Sequence, residues 1–77
     1  MLAKIFVTPK RGVLDPQGKA VAAALRTLGF DEVGDVRIGK YMEIRLADGA
    51  AEERIREMCE KLLANQVIED FRFEVDE

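Results

Sequence analysis

The chain has 77 residues, 12 Lys+Arg against 15 Asp+Glu and a formal net charge of −3, which allows one small domain and leaves no room for a second. It contains no His, no Trp and no Ser, and Cys59 is its single cysteine, so a Ser–His–acid triad, a His–metal site, a Cys–His nucleophile and an intrachain disulfide are all excluded. The acidic balance argues against a generic nucleic-acid surface. A single cysteine fits a reducing compartment, the start MLAKIFVTPKRG has no long h-region or small-residue cleavage site, and no run approaches ~18 apolar residues, which together give the expectation of a cytoplasmic protein that is neither secreted nor membrane-spanning.

Residues Leu2 to Thr8 alternate, with Ala3, Ile5 and Val7 on one face and Leu2, Lys4 and Phe6 on the other, which predicts a first strand. Pro9 ends it. Asp15–Pro16 then reads as a helix start, Asp as N-cap and Pro in the first helical position. The helix carries Ala20, Val21, Ala24, Leu25 and Leu28 at three- and four-residue spacing, with Gly29 placed for a left-handed C-cap. So many alanines on one face predict close packing against a sheet.

From Val36 to Leu46 the alternation is unusually long, Val36, Ile38, Met42, Ile44 and Leu46 against Arg37, Tyr41, Glu43 and Arg45. It reads either as one strand bent at Gly39 or as two strands meeting at Gly39–Lys40, with the continuous bent strand preferred. A second helix is expected from Asp48 or Gly49, burying Ala51, Ile55, Met58, Cys59, Leu62 and Leu63, with Asn65 at its C-cap. The segment Val67–Val75 ends in alternation of Phe71, Phe73 and Val75 with Arg72 and Glu74, a last strand.

This order predicts an α+β two-layer sandwich, ferredoxin-like or a close variant. It reads β-α-β (long, bent or split)-α-β, with two helices on one face of an antiparallel sheet, reached by two strand–helix–strand crossovers. The other face, with Phe6, Tyr41 and the stems of Arg37 and Arg45, stays uncovered in a monomer. A lone core of this size supplies only ~3–5 kcal/mol, so self-association is a natural remedy.

The densest polar grouping is Thr8, Lys10, Arg11, Asp15, Gln17 and Lys19 around the first helix start. Cap and loop are the simplest reading, ahead of a partner-docking loop or a small-anion site, since Asp15 at the cap repels an anion. The segment lacks the spacing of a P-loop. Cys59 falls in phase with the buried stripe, and the acidic tail, Glu69 to Glu77, is explained by strand alternation rather than by a metal.

Three segments, TPKRGVLDPQGKAV (Thr8–Val21), VRIGKYMEI (Val36–Ile44) and CEKLLANQVIEDFRFEV (Cys59–Val75), resemble the PurS family, the small subunit of phosphoribosylformylglycinamidine synthase. The resemblance spans nearly the whole chain. Gln66 departs from it, standing where the family often carries Pro. The resemblance implies a non-catalytic subunit that bridges a large ATP-dependent synthetase and a glutaminase in de novo purine biosynthesis. It implies homodimers, sometimes tetramers, no cofactor on this chain, and ATP and magnesium on the large subunit. The partner-binding candidates it marks are Lys10, Arg11, Asp15, Gln17 and Gly18 from the first loop, Arg37, Gly39, Lys40 and Tyr41 from the middle strand, and Asn65, Ile68 and Glu69 from the final turn. A ligand-sensing regulatory module of the same topology is the competing reading, since fold alone does not decide function. A nucleic-acid-binding sheet would need more exposed aromatics than Phe6 and Tyr41.

Overall fold

In the computed structural model of the chain, which describes residues Met1–Asp76, strand β1 (Leu2–Pro9) is central. Its inward residues Ala3, Ile5 and Val7 are wholly buried, as the alternation predicts. Strand β2 (Lys40–Arg45) pairs with one edge of β1, Ala3 opposite Ile44 and Val7 opposite Lys40. Strand β3 (Glu69–Asp76) pairs with the other, from Leu2 opposite Asp76 to Pro9 opposite Glu69. Both pairings are antiparallel, giving the sheet order β2-β1-β3. The two outer strands are therefore parallel to each other across β1, and the expected α+β antiparallel architecture is present.

Helix α2 (Glu52–Met58) and a π-helical turn (Cys59–Leu63) lie between β2 and β3 in the chain. Ile55, Cys59 and Ala64 join Ala3, Ile5 and Val7 in one buried cluster, flanked by Met42, Ile44, Leu46, Leu63, Phe71, Phe73 and Val75. The π turn spends one more residue per turn than an α-helix, which rotates the apolar stripe. Leu63 and Ala64 turn inward, whereas Leu62, expected inside, is 83% exposed. Ala51, also expected inside, is the exposed N-cap of α2 and makes no side-chain cap bond. Helix start and Asp48 do not coincide: Gly49 turns the chain with φ +84°, and Asp48 faces the N-terminal amine at 3.4 Å.

Helix α1 (Pro16–Thr27) is capped as expected. The Asp15 carboxylate accepts from Gly18 N at 2.9 Å, and Gly29 adopts φ +101°. Gly29 N donates to Arg26 O and Phe30 N to Leu25 O, each at 3.0 Å, which closes the helix end with a Schellman motif. The packing of α1 differs from expectation. Its buried residues are Gly18 and Ala22, while Ala20 and Ala24 are exposed, as are Val21 and Leu28. The helix leans on its own return segment instead, where the Arg26 guanidinium donates to the carbonyls of Val33 and Gly34. The apolar stripe is thereby left off the sheet.

The middle segment is also shorter than its sequence pattern suggests. Regular pairing begins at Lys40, not Val36, because the next residue before it, Gly39, sits so close to the Val7 carbonyl that a β-carbon has no space there. Residues 34–39 carry no ladder, so the first crossover returns outside the sheet. The final strand likewise begins at Glu69 rather than Val67, since Asn65 Oδ1 accepts from Val67 N and holds those residues in a turn. The result is an elongated chain, 48 × 26 × 14 Å, with a radius of gyration of 15.7 Å against about 11–12 Å for a compact chain of this length.

Ile5 stands at the centre of the only buried cluster found among the described residues. Ile5→Ala is expected to cost about 2–5 kcal/mol, comparable to the whole stability of so small a core. Urea unfolding followed by far-UV circular dichroism should show the cooperative transition lost or displaced almost to zero denaturant.

Candidate functional site

The C-terminal end of β1 is where three separate stretches of chain converge. Lys10 N donates to Ile68 O at 2.8 Å, tying the first loop to the turn before β3. The Arg37 guanidinium donates to Pro9 O at 3.0 Å, and Ile38 N donates to Asp15 Oδ2 at 2.9 Å, tying the segment before β2 to the same loop. Asp15 thus accepts two backbone donors, Gly18 N with one oxygen and Ile38 N with the other. These two hydrogen bonds hold its carboxyl below the usual value of 3.8, with the Arg37 charge adding to the effect.

Gly18 is buried because the helix start lies against Val36 O, which any β-carbon at position 18 would strike. Gly39 is constrained by the Val7 carbonyl in the same way. Both glycines are needed for close backbone approach rather than for an unusual φ. In the final turn, Asn65 N donates to Glu69 Oε1 at 2.8 Å, and Glu69 Oε2 lies 3.6 Å from Lys40 Nζ. Glu69 therefore links the turn to the first residue of β2, across the end of β1.

Two shallow clefts flank this junction. One, of about 500 Å³, is lined by the loop cations Lys10, Arg11, Lys19 and Arg37 together with Asp15 and Asp35. Among the described residues none of those four cations forms an ion pair, which concentrates positive potential locally on a chain of net charge −3. The other, of about 230 Å³, is bordered by Leu14, Gln17, Ile38, Ile68 and Glu69. The first cleft is polar, with four cationic donors against two carboxylates, and suits carboxylate and carbonyl groups; the second is chiefly apolar.

Eleven of the twelve sequence-marked residues, Lys10, Arg11, Asp15, Gln17, Gly18, Arg37, Gly39, Lys40, Asn65, Ile68 and Glu69, thus fall in this end region. Tyr41 does not. It lies on the open face of the sheet with its ring 5.0 Å from that of Phe6, and its hydroxyl donates to Glu43 Oε2 at 2.7 Å. That hydrogen bond, followed by partial burial, raises the phenol above its usual value of 10.0. The same face was expected to carry the stem of Arg37, which instead turns to Pro9 O; Arg72 takes the place, its guanidinium 3.9 Å from the Phe6 ring centroid. Sequence reasoning grouped Lys19 with the first-loop residues that line the cleft, but it missed Ile38, assigned to a buried strand face by its alternation, and Asp35, which the close approach of Gly18 to Val36 brings to the cleft.

A sequence model of the family described as PurS, phosphoribosylformylglycinamidine (FGAM) synthase, matches residues 2–77. The phosphoribosylformylglycinamidine synthase subunit PurS of Bacillus subtilis strain 168 is 55% identical over 76 residues, 96% of this chain and 90% of that protein. The solved structure of B. subtilis PurS superimposes with a TM-score of 0.83 at 55% identity, covering 99% of this chain and 98% of that one. PurS of Methanocaldococcus jannaschii, described as one of the subunits of formylglycinamide ribonucleotide amidotransferase in the purine biosynthetic pathway, gives 0.80 at 38% identity, covering 99% and 95%. A chain from the structure of PurLQS of Thermotoga maritima gives 0.75 at 28% identity, covering 96% of each.

The Asp15 junction has a pH signature. A carboxyl whose folded value is depressed contributes stability that is present above its unfolded value near 3.8 and is lost as pH falls through the folded value. Asp15→Asn should therefore lower the urea midpoint at pH 6, while the gap between the two proteins closes as pH is taken from about 5 to 2. Parallel curves over that range would show that the Asp15 charge does not hold the junction.

Proposed function

Because the chain belongs to the PurS family of phosphoribosylformylglycinamidine synthase, we propose that it serves as a small non-catalytic subunit of that ligase in de novo purine biosynthesis. In this reading it bridges the ATP-dependent synthetase subunit and the glutaminase subunit during glutamine-dependent amidation of formylglycinamide ribonucleotide. The observation that carries the reading is the convergence of the three family-like segments on one end of the sheet, where eleven of the marked residues meet. The PurLQS structure of a 28% identical relative supports placing the chain in a larger assembly.

Within that assembly the end region divides its labour. Asp15, Gly18, Gly39, Asn65 and Glu69 fix the backbone through hydrogen bonds and close approaches. Lys10, Arg11, Gln17 and Lys40 present donors outward to the larger subunits, where charge complementarity sets orientation and encounter rate. Ile38 and Ile68, both exposed, supply an apolar centre between them. The chain itself carries no cofactor; ATP and magnesium belong to the synthetase subunit, and the working compartment is the cytoplasm. The chain also associates with itself as a dimer, from which a tetramer can be built, since its own core is small and much apolar surface is exposed.

The test is reconstitution of the full chain with the synthetase and glutaminase subunits, with formation of formylglycinamidine ribonucleotide measured from glutamine and, separately, from ammonium. Turnover from glutamine should depend on the chain, and turnover from ammonium much less. The double reversal Arg11→Glu, Lys40→Glu should lower glutamine-driven turnover at limiting chain about 10-fold or more, with the fold intact by circular dichroism. Equal glutamine-driven turnover with and without the chain would overturn the bridging role, and an unaffected double variant would overturn the assignment of the end region.

A further inference from the structure

Lys10, Arg11, Lys19 and Arg37 reach the 500 Å³ cleft from three stretches of chain: the turn after β1, the first turn of α1 and the return segment before β2. Four cations against the two carboxylates of Asp15 and Asp35 leave a surplus of two positive charges in one recess. Asp15 at the helix start counts against an anion there, but its placement weakens the objection. Each of its oxygens already accepts from a backbone donor, Gly18 N and Ile38 N. Arg37 donates from one nitrogen to Pro9 O and keeps further donors of its planar fork. A second cleft, of about 380 Å³, shares Lys19, Asp35 and Val36 with the first and continues between α1 and the return segment, past Ala22, Arg26 and Gly34. Asp35 thus stands where the two clefts join, and it forms no ion pair among the described residues.

We propose that the two joined clefts bind a small phosphorylated polyol, a sugar phosphate in chemical class, with its phosphate among Lys10, Arg11, Lys19 and Arg37 and its hydroxyls on Asp35. The inference goes beyond the bridging role, because it concerns the chain by itself. Charge selects the head group: a phosphate monoester, close to a dianion at neutral pH, matches the surplus of two, whereas a single carboxylate meets half of it. An arginine fork beside lysines also suits phosphate oxygens. Volume requires an organic part. A bare phosphate leaves most of 500 Å³ empty, and that volume falls in the range of about 300–1,000 Å³ usual for small-molecule sites. The lining then decides what that part is. No aromatic ring borders either cleft among the described residues, so a base has nothing to stack on, while the Asp35 carboxylate at the junction accepts from hydroxyl groups.

Titration of the ¹⁵N-labelled full chain with ribose 5-phosphate, inorganic phosphate, sulfate and free ribose, at constant ionic strength, tests this by NMR. Ribose 5-phosphate should shift the amides of Arg11, Gly12, Lys19, Asp35 and Arg37 saturably, with a Kd of about 1 mM or tighter. Sulfate and free ribose should each bind about 10-fold more weakly or worse. Arg11→Gln and Lys19→Gln replace exposed residues, so the fold is retained and is checked by circular dichroism; each should weaken ribose 5-phosphate about 10-fold. Asp35→Asn should remove the preference for ribose 5-phosphate over inorganic phosphate while phosphate still binds. Lys61→Gln, beside β2 and outside both clefts, should change nothing. Shifts that do not saturate, sulfate binding as tightly as ribose 5-phosphate, or an equal loss in Lys61→Gln would overturn the site. The larger subunits take no part in this measurement, so its failure is separate from failure of the bridging role.

Discussion

The Asp15 carboxylate is the point on which the arrangement turns. One oxygen takes the donor of Gly18 and so starts a helix; the other takes the donor of Ile38, 23 positions further along the chain. A single short side chain therefore sets the direction in which α1 leaves the sheet and the place where the chain comes back to it. An ionised acceptor strengthens both bonds relative to a neutral one. Because the helix start and the return segment share this one group, and Arg37 of the return segment donates to Pro9 O at the end of β1, the loops of the candidate site stand in fixed relation without any large apolar core beneath them.

That economy explains the division of the molecule into two unlike parts. The sheet, α2 and the π turn share one buried cluster and behave as a small conventional core. The α1 part is held by polar contacts to backbone carbonyls and by two glycines that allow chains to touch. Polar contacts of this kind specify geometry more than they contribute stability, since each merely replaces bonds to water. Under the proposed bridging role such a design is an advantage, because the parts that project need not be paid for with a core of their own.

The legible parts of the fold were those governed by local chemistry. Period-two alternation located β1 and its buried residues, and the Asp-Pro start and the glycine stop bounded α1 closely. Relations between distant residues left weaker marks. Nothing in the alternation of Val36 and Ile38 reveals that Gly39 must crowd the Val7 carbonyl, which delays the strand to Lys40. Nothing in the helical spacing of Ile55, Cys59 and Leu62 announces a π turn, which changes the phase of the stripe after Cys59. For the site, resemblance marked three segments, and only three-dimensional placement showed that they converge at the end of the sheet and that Tyr41 lies apart, on the open face.

The placement of β1 has a consequence for how the chain comes to be folded. Of the three strands the earliest in sequence is the central one, and one of its two neighbours is the latest, with Leu2 opposite Asp76. Until β3 has been made, β1 is an apolar segment with one edge that nothing covers, and the sheet is completed by contacts remote in sequence, a topology that slows folding. Over that interval the open edge is the part of the chain most prone to edge-to-edge association, and loss of β3 would leave one side of the central strand bare.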